Sequence, residues 1–230
     1  MARVKLLLFD IDGTLIRGHG AGSRAMTRAG KAICGDAFDM DGIMMGGGLD
    51  PILFTQAIAR MGLAHSTQLE AAFRDRYLEE LALELANAVR KAHLLPGVLE
   101  LLAQLEARRD VMLGLVTGNF RAAVPIKFKA VGLAPERFSI GAFGDCGPTR
   151  PDLVRVALER ARERAGFAFE PTKTFVIGDT PRDVECALHH GCVCLGVATG
   201  GHSAEELAKA GAQHVAADLR DANVLLSLLG

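Results

Sequence analysis

The sequence has almost no excess of charge, few cysteines and no long hydrophobic run, and each absence narrows its function. Acidic and basic residues nearly cancel to a net charge of −1, which gives no sign of a nucleic-acid or membrane-binding surface. Five cysteines in 230 residues do not make the disulfide framework of a small secreted domain. The apolar run after Arg3 is too short for a signal peptide or a membrane span. We therefore expect a cytoplasmic protein that binds neither nucleic acid nor membranes.

What the sequence does contain is an alternation of short apolar runs and helical patterns. Half of its residues are hydrophobic, which is enough for a sizeable core. Strands that alternate with helices predict a parallel sheet covered on both faces, and such sheets bind ligands at the carboxyl ends of their strands. The predicted strands are 4–9, 111–116, 174–179 and 192–199, with a weaker one near 138–140, and the predicted helices are 97–108, 121–131, 151–165, 181–190 and 204–211.

A long stretch, 17–94, separates the first two predicted strands, although a crossover usually needs only about a dozen residues. Most of it has a helical pattern, with glycine-rich breaks at 18–22 and 42–50. The sequence leaves open whether this is a static helical subdomain or a unit that moves on its glycine hinges. One apolar stripe follows helical spacing and consists of Leu69, Phe73, Tyr77, Leu81, Leu85 and Val89.

Residues 5–16, KLLLFDIDGTLI, combine a buried-strand pattern with two aspartates. The apolar run leads into Asp10 and Asp12, so both carboxylates should emerge where the strand ends. Side chains two residues apart lean to the same side of an extended chain, and their repulsion discourages ionisation of both unless a cation lies between them. The pair suits a hard metal ion and a carboxylate nucleophile. A strand that ends in an Asp-Gly turn is the alternative, which accounts for Asp12 but not for Asp10.

Two further polar motifs follow later strands. Thr117 and Gly118 offer a hydroxyl and an open backbone N–H to a phosphate oxygen, although Thr-Gly-Asn is also an ordinary turn. Asp179 lies at the tip of another predicted strand. Asp183 is either a metal-site residue or the third residue of a capping box that begins at Thr180, and the two roles are compatible.

Taken together, these motifs resemble the signature of the haloacid dehalogenase superfamily of phosphatases. Its first motif is Asp-x-Asp-Gly-Thr, its second a Thr or Ser after the next strand, and its last an acidic pair, and all occur here in order. The resemblance implies an α/β fold whose Rossmann-like parallel-sheet core is formed by 1–16 and 95–230, with an α-helical cap domain inserted at 17–94. The small helical cap and the TGN form of the second motif are similar to those of phosphoglycolate-phosphatase-like enzymes.

The resemblance implies a role for each candidate residue. Asp10 would attack phosphorus and form an aspartyl-phosphate, while Asp12 would protonate the leaving oxygen and then activate water. Mg²⁺ would be the cofactor and a small phosphorylated metabolite the substrate. The metal ligands would come from Asp10, the backbone carbonyl of Asp12, Asp179 and Asp183, and the phosphate-binding groups from Thr117, Gly118 and Asn119.

The family also places a cation, usually Lys, against the phosphoryl group. Here the position before Pro-Asp-Leu holds Arg150, which keeps the charge and can contact phosphate oxygens through two N–H groups. Lys127, on the helix after the second motif, is the competitor, and the sequence leaves the choice open. Asp50-Pro51 predicts a helix start. In the family's layout the leaving group is selected by residues at the positions of Arg17, His19, Arg24 and Asp50.

Other functions on this fold stay open at this point. A phosphomutase uses the same acid pair, and a catalytically silent binding protein could share the fold, although the presence of both Asp10 and Asp12 argues against silence. The dehalogenase branch lacks the second Asp, because a halide leaving group needs no proton. The sequence determines neither the particular phosphorylated substrate nor the oligomeric state.

Overall fold

The computed structural model describes residues 4–86 and 91–229, and its centre is a parallel β-sheet. Its strands are β1 (Lys5–Phe9), β4 (Val111–Val116), β5 (Ile140–Ala142), β6 (Thr174–Gly178), β7 (Val193–Val197) and β8 (His214–Ala216). They lie in the order β5-β4-β1-β6-β7-β8, with every neighbouring pair parallel. The predicted α/β fold with a parallel-sheet core is therefore confirmed.

Helices account for most of the remaining chain. The structure adds β8 and the last helix to the predicted elements. None of the described helices is both long enough and apolar enough to cross a membrane. The helices are α1 (Ala21–Cys34), α2 (Asp50–Arg60), α3 (Thr67–Ala86), α4 (Val98–Glu106), α5 (Ala123–Val131), α6 (Arg150–Ala165), α7 (Pro181–His189), α8 (Ala204–Lys209) and α9 (Ala222–Leu229).

The central strand β1 shows why its residues form a buried parallel strand. Leu6, Leu7, Leu8 and Phe9 are all fully buried, and successive side chains of a strand point to opposite faces of the sheet. Leu7 and Phe9 join a core with α4 and α5, whereas Leu6 and Leu8 join a core with α6 and α7. A strand that is apolar on both faces is stable only between two helical layers, which is where β1 lies.

The three helices of the insertion, α1 to α3, share a hydrophobic cluster of their own. The rings of Phe54 and Phe73 stack with centroids 4.0 Å apart, and Phe38 packs beside both. Phe120, from the loop after β4, belongs to the same cluster, so the helical cluster also packs on the sheet edge that carries the polar motifs. Residues 1–3, 87–90 and 230 of the predicted segments lie outside the described residues. They include Val89, the last residue of the predicted stripe.

Two short strands connect the helical insertion to the rest of the chain. β2 (Ile16–Arg17) pairs antiparallel with β3 (His93–Leu94), and the Leu95 N–H donates to the Leu15 carbonyl at 2.9 Å. The outgoing and returning segments are therefore bonded side by side. The division into 1–16 plus 95–230 and 17–94 stays a prediction.

Candidate active site

Three neighbouring strands, β4, β1 and β6, deliver the polar motifs to one edge of the sheet. Asp10 follows β1, and its N–H donates to the Ile177 carbonyl of β6 at 2.9 Å. Thr117 follows β4 and Asp179 follows β6. Because the carboxyl ends of adjacent parallel strands meet at one edge, residues more than a hundred positions apart in the chain become neighbours.

Three buried carboxylates form the centre of this site. Asp10, Asp179 and Asp183 each contribute an oxygen, and these oxygens all lie within 4.8 Å of one another. Burial raises the pKa of Asp10 against the lowering effect of Arg150, and burial together with the charges of Asp10 and Asp183 raises the pKa of Asp179. Such crowded acids resist ionisation unless a cation joins them. Their oxygens are the donors that hard divalent cations prefer, so this cluster fits such an ion.

Asp179 is held in this cluster by its surroundings. The Thr14 hydroxyl donates to its Oδ1 at 3.1 Å. Gly200 lies so close that a Cβ at that position would overlap the Asp179 carboxylate. The sequence does not predict that Thr14 and Gly200 contact Asp179, although Thr14 belongs to the DGT motif.

Arg150 lies between two of the acids and is itself buried. Its Nη2 is 3.0 Å from Asp10 Oδ1, and its Nε donates to Asp183 Oδ1 at 3.1 Å. Burial opposes the charge of the guanidinium, but Asp183 and Asp10 outweigh it and raise the pKa of Arg150. The other Asp183 oxygen accepts from the N–H and hydroxyl of Thr180, at 3.0 and 2.7 Å. Asp183 is therefore both the third residue of the capping box that begins α7 and the partner of Arg150.

Lys127 serves a different acid. Its Nζ donates to Asp12 Oδ2 at 2.5 Å and also to Asn119 Oδ1. The Asn119 amide donates to Asp12 Oδ2 and to the Thr117 hydroxyl, each at 2.7 Å. Although burial opposes it, the charge and hydrogen bonds of Lys127 and the Asn119 bond lower the pKa of Asp12. Asp12 is thus ionised, and its side chain is 47% exposed.

These groups open into one cavity of about 340 Å³. The helical insertion supplies its opposite wall. Asp183 is fully buried behind the cavity, and His19 and Arg24 are not part of the lining. The predicted site residues that line the cavity are Asp10, Asp12, Thr117, Gly118, Asn119, Lys127, Arg150 and Asp179, and Arg17 and Asp50 line it from the insertion.

The haloacid dehalogenase-like hydrolase family matches residues 7–188, most of the chain. The chain belongs to this family. The predicted membership of this family and the prediction of a hydrolytic enzyme are therefore confirmed. The matched residues include the strand-end aspartates and the inserted helices.

Curated relatives of this hydrolase are phosphatases. A phosphoglycolate phosphatase of Synechococcus elongatus is 31% identical over 59% of this chain and 60% of its own length. That of Vibrio cholerae is 28% identical over 95% of each chain. A validoxylamine A 7'-phosphate phosphatase of Streptomyces hygroscopicus is also 28% identical, over 90% of this chain and 91% of its own. Relatives of equal similarity thus carry the names of different substrates.

The solved structures agree with the fold of this hydrolase. A hydrolase from Pseudomonas syringae superposes with a TM-score of 0.73 at 23% identity and covers 98% of both chains. CbbY from Rhodobacter sphaeroides, solved in complex with phosphate, gives the same TM-score at 21% identity, with 98% of this chain and 99% of its own covered. Both similarities extend over the sheet and the helical insertion.

The start of α2 fastens the insertion of this hydrolase to the second motif. The Asp50 N–H donates to the Gly118 carbonyl at 2.7 Å, and Asp50 Oδ2 accepts the Phe120 N–H at 2.8 Å. The predicted helix start at Asp50-Pro51 is observed. Its carboxylate, however, bonds the core rather than the helix that it begins, and no local pattern signals a contact across 70 residues.

Proposed function

We propose that this hydrolase cleaves a small-molecule phosphomonoester in a Mg²⁺-dependent reaction, through an aspartyl-phosphate on Asp10. The observation that carries the proposal is the pairing of two carboxylates with two separate cations at one cavity. Asp10 faces Arg150, and Asp12 faces Lys127. One acid is thereby suited to attack and the other to proton transfer.

The metal would be held by the carboxylates of Asp10 and Asp179 and by the backbone carbonyl of Asp12, with Asp183 beside them. The buried oxygens described above support this assignment. When bound, Mg²⁺ supplies positive charge that offsets the repulsion between an anionic nucleophile and an anionic substrate. We assign Asp183 mainly to Arg150, since both of its oxygens already accept hydrogen bonds.

The chain's own residues then divide the reaction. Asp10 attacks phosphorus as the ester P–O bond breaks, and Asp12, which takes up a proton from solvent when the substrate binds, gives that proton to the leaving oxygen. Asp12 next takes a proton from water as that water attacks phosphorus, which releases inorganic phosphate and restores the Asp10 carboxylate. We assign the Thr117 hydroxyl and the Gly118 N–H to the binding of phosphoryl oxygens, where charge redistributes in the transition state.

The two cations have separate tasks in this scheme. Burial raises the pKa of Asp10, and the charge of Arg150 opposes that effect and so favours the anionic form that attacks phosphorus. In the resting protein Lys127 lowers the pKa of Asp12 and so favours its ionised form. An arriving phosphoryl group gives Lys127 a second anionic partner, which weakens its effect on Asp12 and favours the protonated form that the first step needs.

We further propose that 17–94 acts as a cap over the cavity and that the enzyme works in the cytoplasm on a phosphorylated metabolite. The paired linkers β2 and β3 support the first point, because a two-strand connection is a compact place for a hinge. The second is supported by the five cysteines, which are all free: Cys34, Cys146, Cys186, Cys192 and Cys194.

Release of inorganic phosphate from a panel of phosphomonoesters, 2-phosphoglycolate included, tests the proposal. We expect turnover with Mg²⁺ that EDTA abolishes, and a loss of roughly a thousandfold or more in Asp10→Asn. Asp75→Asn, an equivalent change on the exposed face of α3, should keep the native rate. Metal-independent turnover, or full activity in Asp10→Asn, would contradict the proposal, and phosphoryl transfer without phosphate release would favour a mutase.

A further inference from the structure

The wall that the helical insertion presents to the cavity is mostly small or apolar. Glycines and methionines make up much of it, with Leu53 beside them. Two side chains of this wall, Asp50 and Tyr77, carry polar groups and are more than nine-tenths buried, at 7% and 1% exposure. Their chemistry decides what kind of leaving group the wall accepts.

Asp50 has one carboxylate oxygen to spare. Oδ2 accepts the Phe120 N–H, whereas no donor among the described residues bonds Oδ1. Some polar atoms of the described residues are buried without a hydrogen-bond partner, and Oδ1 of Asp50 is not one of them. Oδ1 is therefore open to the cavity. Burial raises the pKa of Asp50 to about 7, against the lowering effects of Lys127 and of the Phe120 N–H. An acceptor that lines a cavity and receives no hydrogen bond from the described residues is suited to a donor on a ligand.

Tyr77 holds a hydroxyl in a fixed position. Its ring packs between Phe73 and Phe120, with centroids 6.1 Å from each. Within the described part of the chain its hydroxyl makes no hydrogen bond, and it lies next to Gly22, where a Cβ would be 3.7 Å from it. Burial, followed by the charge of Asp50, raises the pKa of Tyr77. The hydroxyl therefore stays protonated and can donate as well as accept.

We propose that Asp50 Oδ1 and the Tyr77 hydroxyl form a subsite for a hydroxyl group of the leaving alcohol, so that the substrate is the phosphate ester of an uncharged polyol. This rests on the proposed phosphatase function and names its substrate class. A substrate hydroxyl donates to Asp50 and accepts from Tyr77, which satisfies both buried groups. A leaving group without hydroxyls leaves them unsatisfied, and a site built to hydrogen-bond a hydroxyl discriminates strongly against such analogues.

A carboxylate on the leaving group fits this wall poorly. It would approach Asp50, whose ionised form repels a like charge at short range. On the side of the cavity that the insertion supplies, Arg17 is a cation that could favour a carboxylate, but its guanidinium already donates to the Thr199 carbonyl. The polar groups of the wall thus favour hydroxyls over anions.

Three esters with the same three-carbon skeleton separate these alternatives: propyl phosphate, glycerol 1-phosphate and 3-phosphoglycerate. We expect the native enzyme to hydrolyse glycerol 1-phosphate with a kcat/KM about tenfold or more above the other two. Tyr77→Phe and Asp50→Asn should each lower the ratio of glycerol 1-phosphate to propyl phosphate by about tenfold. Asp75→Asn should leave that ratio unchanged.

The outcomes of this experiment separate failure of the polyol subsite from failure of the proposed phosphatase function. A native preference for 3-phosphoglycerate, or an unchanged ratio in folded Tyr77→Phe, would overturn the polyol subsite while the phosphatase function stands. Absence of phosphate release from every ester, with p-nitrophenyl phosphate included, would overturn the phosphatase function and the subsite with it. Tyr77→Phe removes only one oxygen from an otherwise packed ring, so it tests the subsite even if Asp50→Asn does not fold.

Discussion

Arg150 and Lys127 are both buried cations of the cavity, yet the acids that they neutralise differ in exposure. Arg150 bonds Asp183, which is fully buried, and Asp10, which is nearly so. Lys127 bonds Asp12, whose side chain is about half exposed. A buried carboxylate that loses its cation keeps an uncompensated charge, whereas an exposed one regains water. Loss of Arg150 should therefore destabilise the protein more than loss of Lys127 does.

Substitution of each cation by alanine tests this difference. Arg150→Ala should lower the free energy of unfolding by about 3–5 kcal/mol, because Asp183 and Asp10 lose their partner. Lys127→Ala should cost about 1 kcal/mol, close to the value of a partly exposed ion pair. Urea unfolding in EDTA measures both, and Arg150→Lys serves as the charge-retaining control. Equal losses in the two alanine variants would show that the burial of the partner acid does not decide the cost.

At the residue scale, the sequence predicts the position of Asp10 and Asp12 at a strand end because the signal is local: an apolar strand runs directly into them. The role of Asp50 is not local. Its helix-start pattern is correct, but its bond to Phe120 depends on how the insertion folds back over the sheet. Tyr77 likewise belongs to a predicted apolar stripe, and only the packed structure places its hydroxyl at the cavity.

At the scale of elements, the loop before α2 packs tightly on the loop after β4. The Gly118 carbonyl accepts the Asp50 N–H, and a Cβ at Gly118 would overlap the carbonyl oxygen of Gly48. Close approach of two backbones requires the absence of a side chain. The contact between insertion and core at the second motif therefore depends on glycine at 118.

Gly118→Ala should separate these two loops. We expect it to destabilise the fold by about 1–3 kcal/mol, the usual cost of overpacking, and to reduce kcat/KM because the wall moves from the phosphoryl site. Gly201→Ala is the control for stability, since nothing lies within 4 Å of a Cβ there. Thermal unfolding and phosphate release measure the two effects. A native-like Gly118→Ala would show that this close contact is absent in solution.

The elements also show where sequence patterns lose information. β1 and β4 are found almost as predicted because each is a continuous apolar run. β8, which has three residues and begins at a histidine, is too short for periodicity to mark it. The pairing of β2 with β3 joins residues more than seventy positions apart, so it follows from tertiary structure rather than from local propensity.

At the scale of the whole molecule, the parallel sheet explains why four separated motifs make one site. Asp10, Thr117 and Asp179 end adjacent strands, and Arg150 begins the helix that packs behind them. The family resemblance predicted this convergence and the fold class. It left the choice between Arg150 and Lys127 open, because both reach the cavity and only their partner acids distinguish them. Of the leaving-group wall, the resemblance indicated Arg17 and Asp50, whereas Tyr77 came from the structure alone.

Detection of a phosphoryl group on Asp10 is the most direct test of the central claim. Native enzyme is mixed with substrate and Mg²⁺, quenched in acid during turnover, and digested for mass spectrometry, with Asp10→Asn treated in parallel. We predict one phosphoryl group on the peptide that contains Asp10 and none in the variant. Turnover without a phosphoryl group on that peptide, together with activity in Asp10→Asn, would contradict the claim.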